Sequence, residues 1–121
     1  MTAHIDHMSV VVSDAAKSKA FYAAALAPLG MNVMMDFGDA FGMGEDAPFL
    51  WVGAGEPHHM HFAIGAASRA AVDAFYKAAL AAGGKDNGAP GLRTDYSPTY
   101  YAAFVLDPDG HNVEAVCHAA E

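Results

Sequence analysis

Two histidines occupy the same place in two copies of one sequence unit. The stretches HMSVVVSDAAKSKAFYAAAL, from His7, and HFAIGAASRAAVDAFYKAAL, from His61, align at a constant offset of 54 residues (61 − 7). A duplicated unit brings equivalent side chains to pseudo-symmetric positions, so two imidazoles could meet there. With a carboxylate from Glu114, they would form a set of two histidines and one acid that binds divalent metals and leaves positions open for substrate.

Each copy predicts a strand, then a helix, then further strands. Alternation indicates strands over 4–12 and 59–66, while Asp14 and Ser68 stand where helix N-caps are expected. Later strands are predicted at 32–37, 40–43, 49–53, 100–106 and 111–117. Asp-Pro-Asp-Gly at 107–110 predicts a type I turn of a hairpin, and 87–98 is expected to be a loop.

Strand alternation decides which side chains share a face. We expect His7, Ser9 and Val11 on the face of the first strand that points away from the helix. His61 has the same position in the repeat, and Glu114 has it in the last strand. The three candidate ligands therefore lie on helix-free sheet faces.

Composition limits the partners. A chain of 121 residues with 54% hydrophobic residues suits one domain with a buried core. A net charge of −8 with six Lys and Arg argues against nucleic acid and anionic membranes as partners. A lone cysteine, Cys117, and the absence of a long apolar run lead us to expect a cytoplasmic protein.

The motifs IDHMSVVVSD, SKAFYAAAL, MHFAIGA and YYAAFVLDPDGHNVEAV resemble the glyoxalase/bleomycin-resistance/extradiol-dioxygenase (vicinal oxygen chelate) superfamily, especially its small lactoylglutathione-lyase-like members. The resemblance implies an α+β domain over 1–121. Paired βαβββ units, about 4–56 and 57–118, would form curled, mostly antiparallel sheets around a metal cavity, with the helices outside. It implies that His7, His61 and Glu114 bind one divalent ion: Zn, Fe(II), Mn, Co or Ni.

The resemblance to glyoxalase I itself is incomplete, because that enzyme has a fourth ligand, a Glu in the last strand of the first unit. Overlaying Glu45–Pro48 on the 107–110 turn predicts Val52 at that place, and a shift of two residues gives Leu50. Neither side chain binds metal. A three-ligand set also fits the superfamily's thiol transferases and extradiol dioxygenases.

Two classes of function follow. The first is a metal-dependent lyase or isomerase that chelates a small oxygenated substrate, with Glu114 as metal ligand and proton shuttle. The second is a metal-free binding protein, as in bleomycin resistance, that sequesters a small compound, for example a cationic one. The joint presence of His7, His61 and Glu114 favours the enzyme, whereas the acidity favours the binder.

The resemblance also suggests substrate contacts from Arg93, Tyr96, Tyr101, Ser9 and Trp51. Arg93 could instead pair with Asp95 at the surface, and Trp51 could stabilise a dimer. The remaining histidines are expected to be solvated or in turns: His4, His58, His59, His111 and His118. Cys117 is expected to be an inert core thiol.

A homodimer is expected because one βαβββ unit makes only a half-open sheet and the strands carry exposed apolar side chains. As in related proteins of the family, His7 would then come from one subunit and His61 with Glu114 from the other. The alternative is a monomer whose two units close on each other.

Overall fold

The computed structural model describes residues 5–120 and contains the βαβββ unit twice. In the first unit a short 3-10 helix, Ala27–Leu29, follows the α-helix and ends at Gly30, whose φ of +84° suits glycine. The elements of this unit are β1 (Met8–Val12), α1 (Ala15–Leu26), β2 (Asn32–Asp36), β3 (Ala40–Gly44) and β4 (Pro48–Ala54).

The second unit repeats the order without the 3-10 helix. Its elements are β5 (His61–Gly65), α2 (Arg69–Ala81), β6 (Lys85–Leu92), β7 (Tyr101–Leu106) and β8 (Asn112–Cys117). The predicted hairpin turn is confirmed, because the Gly110 amide donates to the Asp107 carbonyl at 3.0 Å. Candidate residue His4 lies outside the described residues.

Both helices begin at the predicted caps. The Asp14 carboxylate accepts a hydrogen bond from the Lys17 amide, and the Ser68 hydroxyl accepts one from the Ala71 amide, each at 3.1 Å. These bonds satisfy amides that the first turn of a helix leaves unpaired. Among the described residues, no helix combines the length and apolarity that a membrane crossing requires.

The strands form two separate four-stranded sheets, ordered β1-β4-β3-β2 and β5-β8-β7-β6. In each sheet the first strand of the unit pairs in parallel with the last, and the other neighbours are antiparallel. The predicted α+β class and paired units are confirmed. The two sheets are not closed into a barrel.

One continuous core joins the two units. The helix-facing side chains of β1, β5 and β8 are buried in it, as the alternation predicted, and α1 contacts α2. Phe21 of α1 reaches the second unit so closely that a Cβ on Gly84 would lie 2.7 Å from its ring. Cys117 is buried in this core, as expected. The units therefore pack through their helices, and each leaves its other sheet face uncovered by a helix.

The predicted loop over 87–98 is partly wrong, because β6 runs to Leu92. This strand lies at the edge of its sheet, and its pairing with β7 shifts between Asp86 and Gly88 and again between Gly88 and Gly91. Proline and glycine are tolerated in an edge strand that carries bulges. The glycine and proline residues therefore predicted a loop where the chain forms a strand.

Of the two environments expected for His111, solvent or a turn, solvent is wrong, and the residue directly follows the 107–110 turn. The imidazole is fully buried, and its Nδ1 accepts a hydrogen bond from the Met60 amide at 3.0 Å. Nε2 must then carry the proton, and it lies 2.7 Å from the Val11 carbonyl oxygen, to which it donates. His111 thus joins β1 of the first unit to the second unit.

We predict that His111→Ala lowers the free energy of unfolding by about 2–4 kcal/mol, because it creates a cavity and leaves a buried amide and carbonyl unpaired. Urea denaturation followed by circular dichroism measures this loss. Removal of an exposed imidazole by His58→Ala is the control and should change stability by less than about 0.5 kcal/mol. Equal effects of the two variants would refute the role of His111 between the units.

Candidate metal and substrate site

His61 and Glu114 meet on the helix-free face of the second sheet. They belong to the parallel neighbours β5 and β8, with Glu114 opposite Ala63 and His61 opposite Asn112. The strand period puts both side chains on one face. His61 Nε2 lies 3.1 Å from Glu114 Oε1, and the carboxylate residue is only 2% exposed while the imidazole is about half exposed.

The backbone fixes which nitrogen of His61 carries hydrogen. Nδ1 lies 3.1 Å from the Asn112 carbonyl oxygen, which can only accept, so Nδ1 donates. In a neutral imidazole, Nε2 then carries no hydrogen and presents a lone pair. It faces Glu114 Oε1, which is also an acceptor when the carboxylate is ionised.

Two acceptors 3.1 Å apart need a proton or a cation between them. Ligands about 2.1 Å from one ion and at about a right angle would lie about 3.0 Å from each other. Imidazole and carboxylate are ligands that Zn²⁺, Fe(II), Mn²⁺, Co²⁺ and Ni²⁺ accept. The donor pair therefore fits a divalent ion in type, in tautomer and in separation.

His7 is not joined to this pair within one chain. It lies one residue before β1, is exposed, and has its Nδ1 2.8 Å from Asp6 Oδ1. Over residues 5–120, no three His, Cys, Asp or Glu side chains form a group that could hold a metal ion. A single chain thus brings together two of the three predicted ligands.

Tyr100, which is not among the predicted substrate contacts, adjoins the His61–Glu114 pair. Its hydroxyl donates to Glu114 Oε2, the oxygen that does not face His61. Burial, reinforced by the hydrogen bond and the charge of Glu114, raises the pKa of Tyr100 to about 12. The phenol is therefore a proton donor at neutral pH.

The predicted Tyr101 lies on the other side of β7. Its hydroxyl donates to Asp73 of α2 at 2.6 Å, and the Arg69 guanidinium covers its ring. Strand alternation could have shown this position. Tyr101 pairs with Cys117, and alternation from Glu114 puts Cys117 on the helix side of β8.

Arg93 extends over the same open face as Glu114. Its guanidinium donates to the carbonyl oxygens of Gly91 and Ala89 and lies 5.3 Å from the centre of the Phe104 ring. Phe104 pairs with Glu114, and its ring centre is 6.2 Å from that of His61. Arg93, Phe104, His61 and Glu114 therefore form one continuous surface.

The equivalent of Glu114 in the first unit is Trp51. Ser9 pairs with Trp51 as Ala63 pairs with Glu114, and Ser9 and Ala63 are 54 residues apart (63 − 9). Val52 and Leu50, the two residues expected there, are both buried in the core instead. The overlay failed because a bulge in β4 near Pro48 shifts the register of the first unit.

Trp51 and Ser9 lie side by side on the helix-free face of the first sheet. The indole covers Gly42, where a Cβ would come within 2.8 Å of the ring, and it stacks on Phe37 at 6.4 Å. Phe37 is 63% exposed and Tyr96, on the second sheet's side, is 68% exposed. Both units thus present aromatic side chains to the outside.

A cavity of about 270 Å³ lies away from these faces, near Lys17, Lys85 and the β7–β8 turn. His61 and Glu114 do not line it. On their own sheet face, His61 is about half exposed and Glu114 is buried.

Comparisons with known proteins agree with this architecture. Residues 4–115 match the family model of the glyoxalase/bleomycin resistance protein/dioxygenase superfamily. A glyoxalase/bleomycin resistance protein from Albidiferax ferrireducens is 27% identical with a TM-score of 0.81, and the match covers 94% of this chain and 98% of the other.

Two further structures show the same fold at lower identity. A lactoylglutathione lyase from Agrobacterium tumefaciens is 18% identical with a TM-score of 0.72, over 97% of this chain and 95% of its own. A glyoxalase/bleomycin resistance protein/dioxygenase family enzyme from Burkholderia phytofirmans is 17% identical with a TM-score of 0.75, over 97% and 100%. No curated protein matched the chain.

The facing acceptors predict an unusual stability result. In metal-free protein at pH 8.5, where histidine is ordinarily neutral, Glu114→Gln should raise the free energy of unfolding by about 1 kcal/mol. The new amide can donate to His61 Nε2 while its oxygen still accepts from Tyr100. Glu114→Ala should instead lower stability by about 2 kcal/mol, because it leaves a cavity and an unpaired hydroxyl.

Thermal denaturation in the presence of a chelator measures both variants. If Glu114→Gln destabilises the protein as much as Glu114→Ala, then a proton already joins His61 to Glu114 and the pair is an ordinary ion pair.

Proposed function

The chain belongs to the glyoxalase/bleomycin resistance protein/dioxygenase superfamily, and from that premise we propose that it is a metal-dependent lyase or isomerase acting on a small oxygenated substrate. The observation that carries this proposal is the 3.1 Å approach of His61 Nε2 to Glu114 Oε1, two atoms that can both bind a metal ion, on one sheet face. The joint presence of these two ligand types favours a metal site over a pocket that only sequesters a compound.

The proposed ligands are His61 Nε2, Glu114 Oε1 and an imidazole nitrogen of His7. His7 is exposed and outside the pair in its own chain, so it would come from a second copy. The repeat supports this assignment. A two-fold axis would bring the first sheet of one copy against the second sheet of the other, and positions that are equivalent in the repeat would then face each other.

A bound divalent ion would supply Lewis acidity toward the substrate's oxygen atoms. Glu114 is buried, and once Oε1 leaves the ion that oxygen would take a proton from a substrate carbon and return it at a neighbouring atom. Arg93 and Phe104 adjoin His61 and would contact the substrate's remaining groups. Ser9 and Trp51 of the other copy would form the opposite wall, with Tyr96 at its edge.

The class of reaction depends on the position equivalent to Glu114 in the first unit. Because Trp51 stands there, only one carboxylate is available for proton transfer and binding. That difference from glyoxalase I keeps thiol transfer and extradiol-type dioxygenation as alternatives within the enzyme proposal. Oxygen consumption with a catechol, or thiol-dependent product formation, would identify either one.

The exposed aromatic pair favours a second candidate, a binding protein that uses no metal. Phe37 and Trp51 stack on an open face of a chain with net charge −8, and aromatic faces attract cations. This protein would bind a flat or cationic compound between two copies, and it would do so equally well with or without metal.

Metal content separates the two candidates. Protein purified without added metal and then dialysed against Zn²⁺ or Mn²⁺ should retain about one ion per chain by elemental mass spectrometry. His61→Ala should weaken binding roughly 100-fold or more, whereas His58→Ala, an exposed imidazole outside the site, should leave it unchanged. Stoichiometric retention by His61→Ala, or none by the unaltered protein, would contradict the enzyme proposal.

We also propose a homodimer with shared sites. The helix-free face of the first sheet carries the exposed apolar side chains of Met35 and Phe37, and apolar patches of this kind mark interfaces. Since no described group of three ligands exists in one chain, a metal site needs a ligand from outside it. The dimer supplies that ligand and covers the open face.

Complementation tests the shared site. His7→Ala and Glu114→Ala homodimers should each lose most metal binding. Mixing them after mild denaturation and refolding should regenerate one intact site in each heterodimer, so that about a quarter of all sites recover if exchange is random. No recovery, or a monomer in sedimentation at micromolar concentration, would refute the shared site.

A further inference from the structure

We infer that Tyr100 is the positioning residue of the proposed metal site, locking Glu114 so that one carboxylate oxygen faces the ion and the other is turned away. This inference rests on the proposed function. It concerns a side chain that contacts Glu114 rather than the substrate or the ion.

The two oxygens of Glu114 have different partners. Oε1 lies 3.1 Å from His61 Nε2, and Oε2 accepts the hydrogen bond from the Tyr100 hydroxyl. A carboxylate that is free to turn can offer either oxygen or both to a metal ion. Because the Tyr100 hydroxyl engages Oε2, Oε1 is the oxygen that Glu114 would offer to an ion beside His61.

Tyr100 is itself held by the loop that connects β6 and β7. The Arg93 amide donates to the Tyr100 carbonyl oxygen at 2.7 Å, which closes this loop at its base. Two rings contact the phenol edge to face, that of Tyr96 at 4.9 Å and that of His118 at 5.2 Å. The hydroxyl is therefore aimed at Glu114 by backbone and ring packing together.

Burial makes this lock effective. Glu114 is 2% exposed, so water has little access to replace the phenol at Oε2. A partner that orients a metal ligand typically contributes 10–100-fold to metal affinity. Tyr100 would therefore affect the metal site without touching the metal.

Cobalt binding tests the inference directly. Tyr100→Phe should weaken Co²⁺ binding by about 10-fold or more in calorimetric titration. It should also change the visible absorption of bound Co²⁺, because Glu114 is released to bind through both oxygens. The matched control is Tyr76→Phe, which removes a hydroxyl that donates to Asp86 at 3.1 Å, away from the site, and should change neither affinity nor spectrum.

If the unaltered protein binds Co²⁺ and Tyr100→Phe binds it with the same affinity and spectrum, the inference is overturned while the proposed function stands. If the unaltered protein binds no Co²⁺, the proposed function fails, and the lock is then judged in metal-free protein. There, Tyr100→Phe should lower the melting temperature by about 5 °C in the native background and by much less in a Glu114→Ala background. Equal shifts in the two backgrounds would overturn the lock as well.

Discussion

The candidate site depends on the approach of His61 Nε2 to Glu114 Oε1, two atoms that lie 3.1 Å apart and are oriented by separate partners. The Asn112 carbonyl oxygen fixes the tautomer of His61, and the Tyr100 hydroxyl occupies the far oxygen of Glu114. With a neutral imidazole, each partner leaves one electron pair directed at the space between His61 and Glu114. An arrangement of this kind costs stability in the empty protein and becomes favourable when a cation binds.

The duplication explains both the symmetry of the fold and the asymmetry of its chemistry. The second unit pairs Glu114 with Phe104, whereas the first unit pairs Trp51 with Gly42 at the equivalent positions. A large ring and a carboxylate therefore lie beside each other in one unit, and an indole covers a glycine in the other. A site between copies would combine a ligand-bearing face with an aromatic one.

Local rules predicted most of the fold. The sequence predicted the helix caps at Asp14 and Ser68 and the buried faces of β1, β5 and β8. Each of these features depends on residues that are near in sequence. That alternation also placed His61 and Glu114 on one face.

What could not be predicted depends on contacts that are distant in sequence. The burial of His111 follows from its bond to the Val11 carbonyl, and the position of Trp51 follows from the register of β4 on β1. Alternation puts Tyr100 on the face opposite to that of Tyr101, but the loop closure from the Arg93 amide to the Tyr100 carbonyl, which holds its ring at Glu114, was not predicted. A sequence pattern does not show where a strand bulges or where a loop closes, although both decide which side chains meet.

The most direct test of the central claim is anomalous diffraction from crystals grown with Zn²⁺ and measured at the zinc edge. We expect one strong peak per chain, about 2.0–2.2 Å from both His61 Nε2 and Glu114 Oε1, with His7 of a second copy as the third protein ligand. A peak elsewhere, or none between His61 and Glu114 in crystals that hold zinc, would contradict it.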